Sequence, residues 1–305
     1  MLSPHSLRQR STLLQAIRSF FLIRDYIEVD TPIRLPVLLP EAHIQPFASD
    51  GWFLQTSPEL CMKMLLANGC EQIFQLCHCF RKEECGQFHQ TEFTMLEWYH
   101  RGWDYVDLME ECEDLFGALA GKVSDLEGVN RKEEIVYKER TISLKKPWIR
   151  LSLRDAFFRF ADISVEQAIA QDRFEEMLVE KIEPHLGWTR PVFLYDYPIP
   201  LASLAKVKDN NPTLAERFEL YIGGLELANG FSELVDATAQ RERFVQEIST
   251  IKQMGRSAQM PEHFLLALEG LGDTAGIALG VDRMLMLLQG KETLTEVLPM
   301  GGRFM

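Results

Sequence analysis

The run Phe80-Arg81-Lys82-Glu83-Glu84-Cys85-Gly86-Gln87-Phe88-His89-Gln90-Thr91-Glu92-Phe93-Thr94-Met95-Leu96-Glu97-Trp98-Tyr99 constrains the fold more than any other part of the chain. Two apolar segments are joined by a polar loop, the pattern of adjacent strands. Side chains alternate faces along a strand, so Phe93, Met95, Glu97 and Tyr99 project to one side, as do Arg81 and Glu83 on the segment before. One sheet face then carries a cation, acids, a phenol and a flat ring. Unpaired charges are costly to bury, so a face of this composition points to a ligand.

Around this pair the periodicity supplies the other elements. Leu7, Leu13, Leu14, Ile17, Phe20 and Phe21 recur at helical spacing and predict a helix from about Leu7 to Asp25, followed by an extended run into Pro32. Ser57 before Pro58 reads as an N-cap, with the helix stopping at Asn68-Gly69. Strands are expected at Gln72 to Phe80 and Glu92 to His100, then a helix from Asp107 to Ala120. A hairpin is expected from Glu133-Glu134-Ile135-Val136-Tyr137 and Thr141-Ile142-Ser143-Leu144, and polar helix from Leu153 to Leu186. Strands resume at Phe193-Leu194-Tyr195, Phe218 to Ile222 and Leu225 to Ala228, with Gly223-Gly224 as a tight turn. Helices near Gln240 to Met254 and Glu262 to Leu271 precede a last strand. The expected class is α+β, an antiparallel sheet flanked by helices, as one domain over residues 1–305 with an insertion at about 121–190.

Composition narrows the function classes. With 305 residues, 46% of them hydrophobic, the chain has ample material for a packed core. There is no charged-then-apolar leader and no apolar run near the roughly 18 residues that span a bilayer, so a cytoplasmic location is expected. The 45 acidic residues exceed the 32 basic ones for a formal charge of -13, which weighs against broad attraction to a polyphosphate backbone. The six cysteines are expected as reduced thiols, and Cys77, Cys79, Cys85 and His89 fit no tight zinc knuckle.

A second segment resolves what the first leaves open. Gly276-Ile277-Ala278-Leu279-Gly280-Val281-Asp282-Arg283 runs from a glycine-punctuated strand into an apolar helix, setting Arg283 in its first turn. Taken alone, Arg81 is also a plausible partner for an acid, Phe93 a core residue and Glu226 a solvated strand residue. Together the two segments, with Thr56-Ser57-Pro58-Glu59-Leu60 and Gly224-Leu225-Glu226-Leu227-Ala228-Asn229-Gly230-Phe231-Ser232-Glu233-Leu234, resemble the class II aminoacyl-tRNA synthetases, specifically the lysyl branch.

That resemblance implies activation of an amino acid by attack of its carboxylate on the α-phosphate of ATP. By the family pattern Arg81 holds the α-phosphate and substrate carboxylate, Arg283 the γ-phosphate, Phe93 stacks on adenine and Glu83 takes its exocyclic amine. Lys82, His89, Gln90, Leu227 and Gly280 match other positions around the nucleotide, and Glu219 and Glu226 match the Mg2+ ligands. Glu59 and Glu97 match the acids near the backbone amine, Tyr99 and Glu233 the pair at the distant amine, and Asn229 a contact to the carboxylate, with Ser57, Pro58 and Ala278 lining the pocket. Lysine or a close isomer is the implied substrate. The long first helix, strand and proline resemble the dimer-forming motif, implying a homodimer.

The lysyl synthetases carry an anticodon-binding barrel ahead of this domain, whereas here the first helix starts near Met1, so tRNA binding is not expected. The run Leu227-Ala228-Asn229-Gly230-Phe231, with Ala278 in place of a glycine, is similar to the compact ligases of this family that transfer (R)-β-lysine to a lysine of elongation factor P. Ala278 would suit an amine moved one carbon along, since a methyl there fills room beside the substrate. Gln90 and Thr91 depart from the Asn-Pro usual in the family, implying a shifted amide contact. The alternatives are a truncated synthetase that charges tRNA and a non-catalytic paralogue that binds a ligand and regulates a partner.

Overall fold

A computed structural model describes residues 1–127 and 133–301. Residues 128–132, within the expected 121–190 insertion, lie outside them. Helix α1 (Pro4–Leu22) is capped by the Ser3 side chain and begins with proline, which lacks the N–H that a first turn leaves unpaired. After it come β1 (Ile27–Glu28), β2 (Arg34–Leu35), β3 (Ala48–Ser49), β4 (Trp52–Leu54), α2 (Glu59–Ala67), β5 (Gln72–Phe80), β6 (Glu92–Arg101) and α3 (Tyr105–Glu127). The middle of the chain holds β7 (Glu134–Tyr137), β8 (Arg140–Ser143), β9 (Ile149–Ser152), α4 (Leu153–Phe160), α5 (Val165–Ala170) and α6 (Phe174–Met177). The last part comprises β10 (Val192–Pro198), β11 (Val207–Lys208), β12 (Asn211–Ile222), β13 (Leu225–Ser232), α7 (Ala237–Gln253), α8 (Glu262–Ala267), β14 (Thr274–Gly280) and α9 (Val281–Leu288).

Nine strands form the main sheet in the order β1-β5-β6-β14-β13-β12-β10-β9, with β11 paired to β12. Its body is antiparallel as expected; β1 and β9 join the two edges in parallel. The β12–β13 turn places Gly223 and Gly224 at φ 61° and 76°, both in the left-handed region that a two-residue hairpin turn requires. A Cβ on Gly223 would also lie 2.8 Å from the Tyr137 ring.

One sheet face is covered by α1, α3 and α9, through a core that includes Leu13, Phe21, Trp98, Leu115, Phe116 and Met286. Arg10 of α1 locks these layers together. It pairs with Asp282 at 2.7 Å and donates to Thr94 at 2.9 Å, while Asp282 accepts the Thr94 N–H at 2.7 Å. A second cluster packs Phe157, Phe174 and Leu178 against Leu194 and Tyr221 at the β9–β10 edge. The third packs α2 and α8 with Phe244 against Ile73 and Tyr99, flooring one end of the open face.

Three sequence expectations are corrected. Ser57 does not cap α2: the N-cap is Pro58, no side chain caps the helix, and Glu59 is its first residue. Arg81 and Glu83 are not strand residues, because β5 ends at Phe80 and Glu83 sits in the following turn beside the Gln45 amide. The polar stretch from Leu153 to Leu186 is not one helix. It breaks into α4, α5, α6 and a wide turn at Leu178–Ile182, with Ser152 capping the start of α4 and Ser164 that of α5.

Candidate active site

Strand register sets the site. Gln75 pairs with Glu97, Glu97 with Ala278, Ala278 with Asn229 and Asn229 with Glu219, so one row of side chains crosses five strands on the uncovered face. The neighbouring row is Ile73, Tyr99, Gly276, Phe231 and Arg217. Along β6 the face runs from Phe93 past Glu97 to Tyr99, a span of roughly 20 Å at strand rise. Cations gather at its Phe93 end and acids at its Tyr99 end.

At the Phe93 end Arg81 Nε donates to the Thr56 carbonyl at 3.3 Å and Nη1 to Glu84 at 3.2 Å, and the guanidinium lies 5.3 Å from the centre of the Phe93 ring. Arg283, in the first turn of α9, donates to the Phe88 carbonyl at 2.9 Å and the Glu226 carbonyl at 2.8 Å. Its third nitrogen lies 2.6 Å from His89 Nε2. Burial and the Arg283 charge keep His89 below its usual range, so the neutral ring accepts from the guanidinium. Arg283 thus draws the β5–β6 loop to β13 and brings His89 and Glu226 together around it. Lys82 is exposed nearby, its N–H on the Gln45 carbonyl at 2.8 Å. Gln90 is buried with its side-chain oxygen unpaired, and Leu227 and Gly280 line the β13–β14 side, the Leu227 carbonyl 3.8 Å from where a Cβ on Gly280 would stand.

Glu219 and Glu226 lie on one face of β12 and β13, brought closer by a register shift at Leu220/Tyr221. Glu219 accepts from Arg217 at 2.7 Å, Tyr197 at 2.6 Å and Tyr221 at 2.8 Å. Glu226 is less engaged: Arg283 is 3.9 Å away, and burial plus the Glu219 charge push its carboxyl up to about 7. Glu219 is already paired with Arg217, whereas Glu226 keeps its nearest cation at 3.9 Å, and hard carboxylate oxygens of this kind fit magnesium, which is commonly held by one or two carboxylates plus phosphate oxygens. Glu226 has the free lone pairs for direct ligation and Glu219 the supporting charge.

The Tyr99 end is deeply buried. Tyr99 donates to Glu97, whose second oxygen has no partner among the described residues. Burial and the nearby Glu59 charge hold Glu97 well above the usual carboxylate range. Lys63, one turn along α2 from Glu59, places Nζ 2.5 Å from both Glu59 and Glu233. Burial favours its neutral form, but the Glu233 and Glu59 charges outweigh that and keep it an ammonium. Burial pushes Glu233 up to about 8, with one oxygen facing no donor. Gly276 makes this packing possible, since a Cβ there would lie 2.1 Å from the Tyr99 ring and 2.8 Å from Glu233. Ala278 and Asn229 are half-buried between the two ends, Asn229 accepting from Arg217 at 3.3 Å. Ser57 is half-buried and Pro58 buried beside them at the start of α2.

Lys63 and Arg217 belong to the site and were not picked out from sequence. Lys63 had one signal, its i,i+4 spacing from Glu59, which is also the mark of a surface pair. Arg217 stands two residues before Glu219 and so on the same face, a cue that alternation alone supplies.

Residues 3–301 match the family described as tRNA synthetases class II (D, K and N). The chain is 38% identical over 305 residues to the elongation factor P--(R)-beta-lysine ligase of Edwardsiella ictaluri, covering 96% of this chain and 94% of that protein. The ligase of the same name from Pseudoalteromonas translucida is 37% identical over 311 residues, covering 96% and 94%. That of Pectobacterium carotovorum is 39% identical over 316 residues, covering 97% and 94%.

Proposed function

The chain belongs to the class II tRNA synthetases of the D, K and N group, and from that premise we propose an ATP-dependent aminoacyl ligase that activates (R)-β-lysine and transfers it to a lysine of elongation factor P. Relatives matched over 94% of their length carry that activity in their names.

In the first step a carboxylate oxygen of the amino acid attacks the α-phosphorus of ATP, the bond to the pyrophosphate oxygen breaks, and an acyl adenylate forms. The protein's task is to position two anions and spread charge rather than to move protons. Arg81 holds the substrate carboxylate and α-phosphate, Arg283 with His89 the outer phosphates. Arg81 now rests on the Thr56 carbonyl and Glu84, and Arg283 on two backbone carbonyls; phosphate oxygens replace the carbonyls with stronger charge-assisted bonds. Adenine takes the free face of Phe93, within reach of Gln90 and Glu83. Magnesium on Glu226 and Glu219 would neutralise charge on the separating phosphates.

The carboxylates at the Tyr99 end take the two ammonium groups of the substrate, and Asn229 orients its carboxylate. A ligand lacking either ammonium leaves a buried acid unsatisfied, which gives discrimination. In the second step a neutral ε-amine attacks the acyl carbon and AMP departs. A free lysine ammonium titrates at about 10.4, so docking must desolvate it near the adenylate.

We place a second copy of the chain against α1 and β1, where Leu22, Ile23, Ile27 and Ile33 are exposed beside an open strand edge. Residues 121–190 are read as an insertion within one domain. No helix among the described residues is long and apolar enough to cross a membrane, and the proposed partner and ATP place the reaction in the cytoplasm.

One observation carries the reading: among the described residues, Glu97 and Glu233 keep unpartnered buried oxygens in a cleft where Lys63 supplies one ammonium against three carboxylates. The test is ATP–pyrophosphate exchange with (R)-β-lysine and α-lysine, followed by mass analysis of elongation factor P and of tRNA. Exchange with (R)-β-lysine and acylated elongation factor P are expected. Acylated tRNA alone, or no exchange, contradicts it.

A further inference from the structure

Glu41 takes no part in the chemistry above. It lies between β2 and β3 on a loop fastened to the end of α7: Arg256 donates to the carbonyls of Ala42 and, at 3.0 Å, Ile44, and Glu247 accepts the Ala42 N–H at 2.7 Å. Glu41 is therefore held in place from both the residue after it and the helix behind it. The same residue lines a cavity of about 90 Å³, partly open to solvent, whose walls include Val37, Leu39, Ile44, Phe53 and Ile251. Thr56 lines its inner side, and the Thr56 carbonyl is the one that Arg81 holds. The cavity and the cleft thus share Thr56, and Glu41 lines the cavity with it.

Its charged neighbours are, in order of influence, Glu59, Arg81, Glu247 and Lys63. Among the described residues no donor hydrogen-bonds its carboxylate, and burial with the Glu59 charge pushes it up to about 7. The Lys63 ammonium is taken up by Glu59 and Glu233, which leaves Glu41 without a paired cation of its own among the described residues. Independent evidence of a missing cation comes from the unpartnered buried oxygens of Glu97 and Glu233 in the same cleft.

We propose that Glu41 is a specificity-determining residue, facing Glu59 across the substrate ammonium that lies nearer the substrate carboxylate. The inference rests on the diammonium substrate proposed above. Arg81 fixes where the substrate carboxylate sits, so a cation between Glu41 and Glu59 is the near amine and not the distant one. The cavity behind Glu41 gives room on that side for an amine displaced along the chain, as in (R)-β-lysine relative to α-lysine.

Substrate fragments separate this role from a structural one. In ATP–pyrophosphate exchange, Glu41→Gln should raise the KM for (R)-β-lysine by about tenfold or more, with the KM for ATP unchanged. It should weaken β-aminocaproate, which keeps only the near amine, by a similar factor, and leave ε-aminocaproate, which keeps only the distant one, unaffected. Ligand-free Glu41→Gln should melt at or above the wild-type temperature, because a repulsion is removed, and Glu41→Asp should restore part of the affinity. An unchanged KM for (R)-β-lysine, equal losses for both fragments, or destabilisation of both variants would overturn the assignment. Wild-type protein inactive with every amine would instead overturn the underlying reading of the site.

Discussion

The two ends of the cleft are built on opposite principles. At the Phe93 end the arginines are already satisfied, by backbone carbonyls, by Glu84 and by His89, and are partly open to solvent. At the Tyr99 end the acids are buried, crowd one another and lean on a single internal ammonium. The first arrangement keeps positive charge fixed before any ligand arrives, so an anion exchanges partners at little reorganisation cost. The second leaves the ligand-free protein with an unmet demand for cations. Nucleotide binding is therefore expected to change stability modestly, and amine binding to change it strongly.

The sharpest way to break this contrast is Lys63→Met. Removing the cation between Glu59 and Glu233 strands two buried carboxylates and should cost about 3–5 kcal/mol, read from chemical denaturation. A loss under about 1 kcal/mol would show that the acid end does not depend on its internal ammonium. Arg283→Ala should leave folding nearly intact but lower kcat/KM in pyrophosphate exchange by about 10²–10³, the scale of removing one preorganised charge donor. Gly276→Ala should cost about 1–3 kcal/mol through overpacking against Tyr99 and should raise the KM for the amino acid without altering that for ATP. Equal damage to both KM values would mean the two ends are not separable.

A smaller effect concerns pH. Glu41 and Glu226 are raised from 4.5 to about 7 and Glu233 to about 8, so the folded chain binds protons that the unfolded chain releases. These groups therefore stabilise the ligand-free protein at low pH and lose that contribution as pH rises from about 4.5 through about 8. Denaturation midpoints compared across that window should fall with rising pH, and saturating substrate amine should flatten the trend. The same Glu226 shift predicts magnesium affinity that rises as pH passes about 7, measurable by titration calorimetry.

Much of this was legible in the chain because it is local. Alternation along Glu92 to Tyr99 identified β6 and its face, and Gly223-Gly224 marked the hairpin that aligns Glu219 with Glu226. What escaped depends on distant partners. Lys63 resembles a surface helix lysine until β13 brings Glu233 over it, and Glu41 resembles a loop acid until α7 pins its neighbours. Ser57-Pro58 misled because a good capping sequence is only a preference, and here the turn places Pro58 at the cap. The edge strand β9 carries only four residues, too few for periodicity to register, whereas β1 falls inside the extended run read before Pro32. Ala278 is paired with Glu97 on one side and Asn229 on the other, and Ala278→Gly is expected to shift the ratio of activation rates for (R)-β-lysine and α-lysine by a few-fold.

The most direct test of the two-ended cleft is a crystal structure with a non-reactive sulfamoyl analogue of the (R)-β-lysyl adenylate. Adenine should lie on Phe93, the sulfamoyl group beside Arg81, and the two ammonium groups among Glu41, Glu59, Glu97 and Glu233. An analogue bound elsewhere, or with its amines directed away from those carboxylates, would contradict the account.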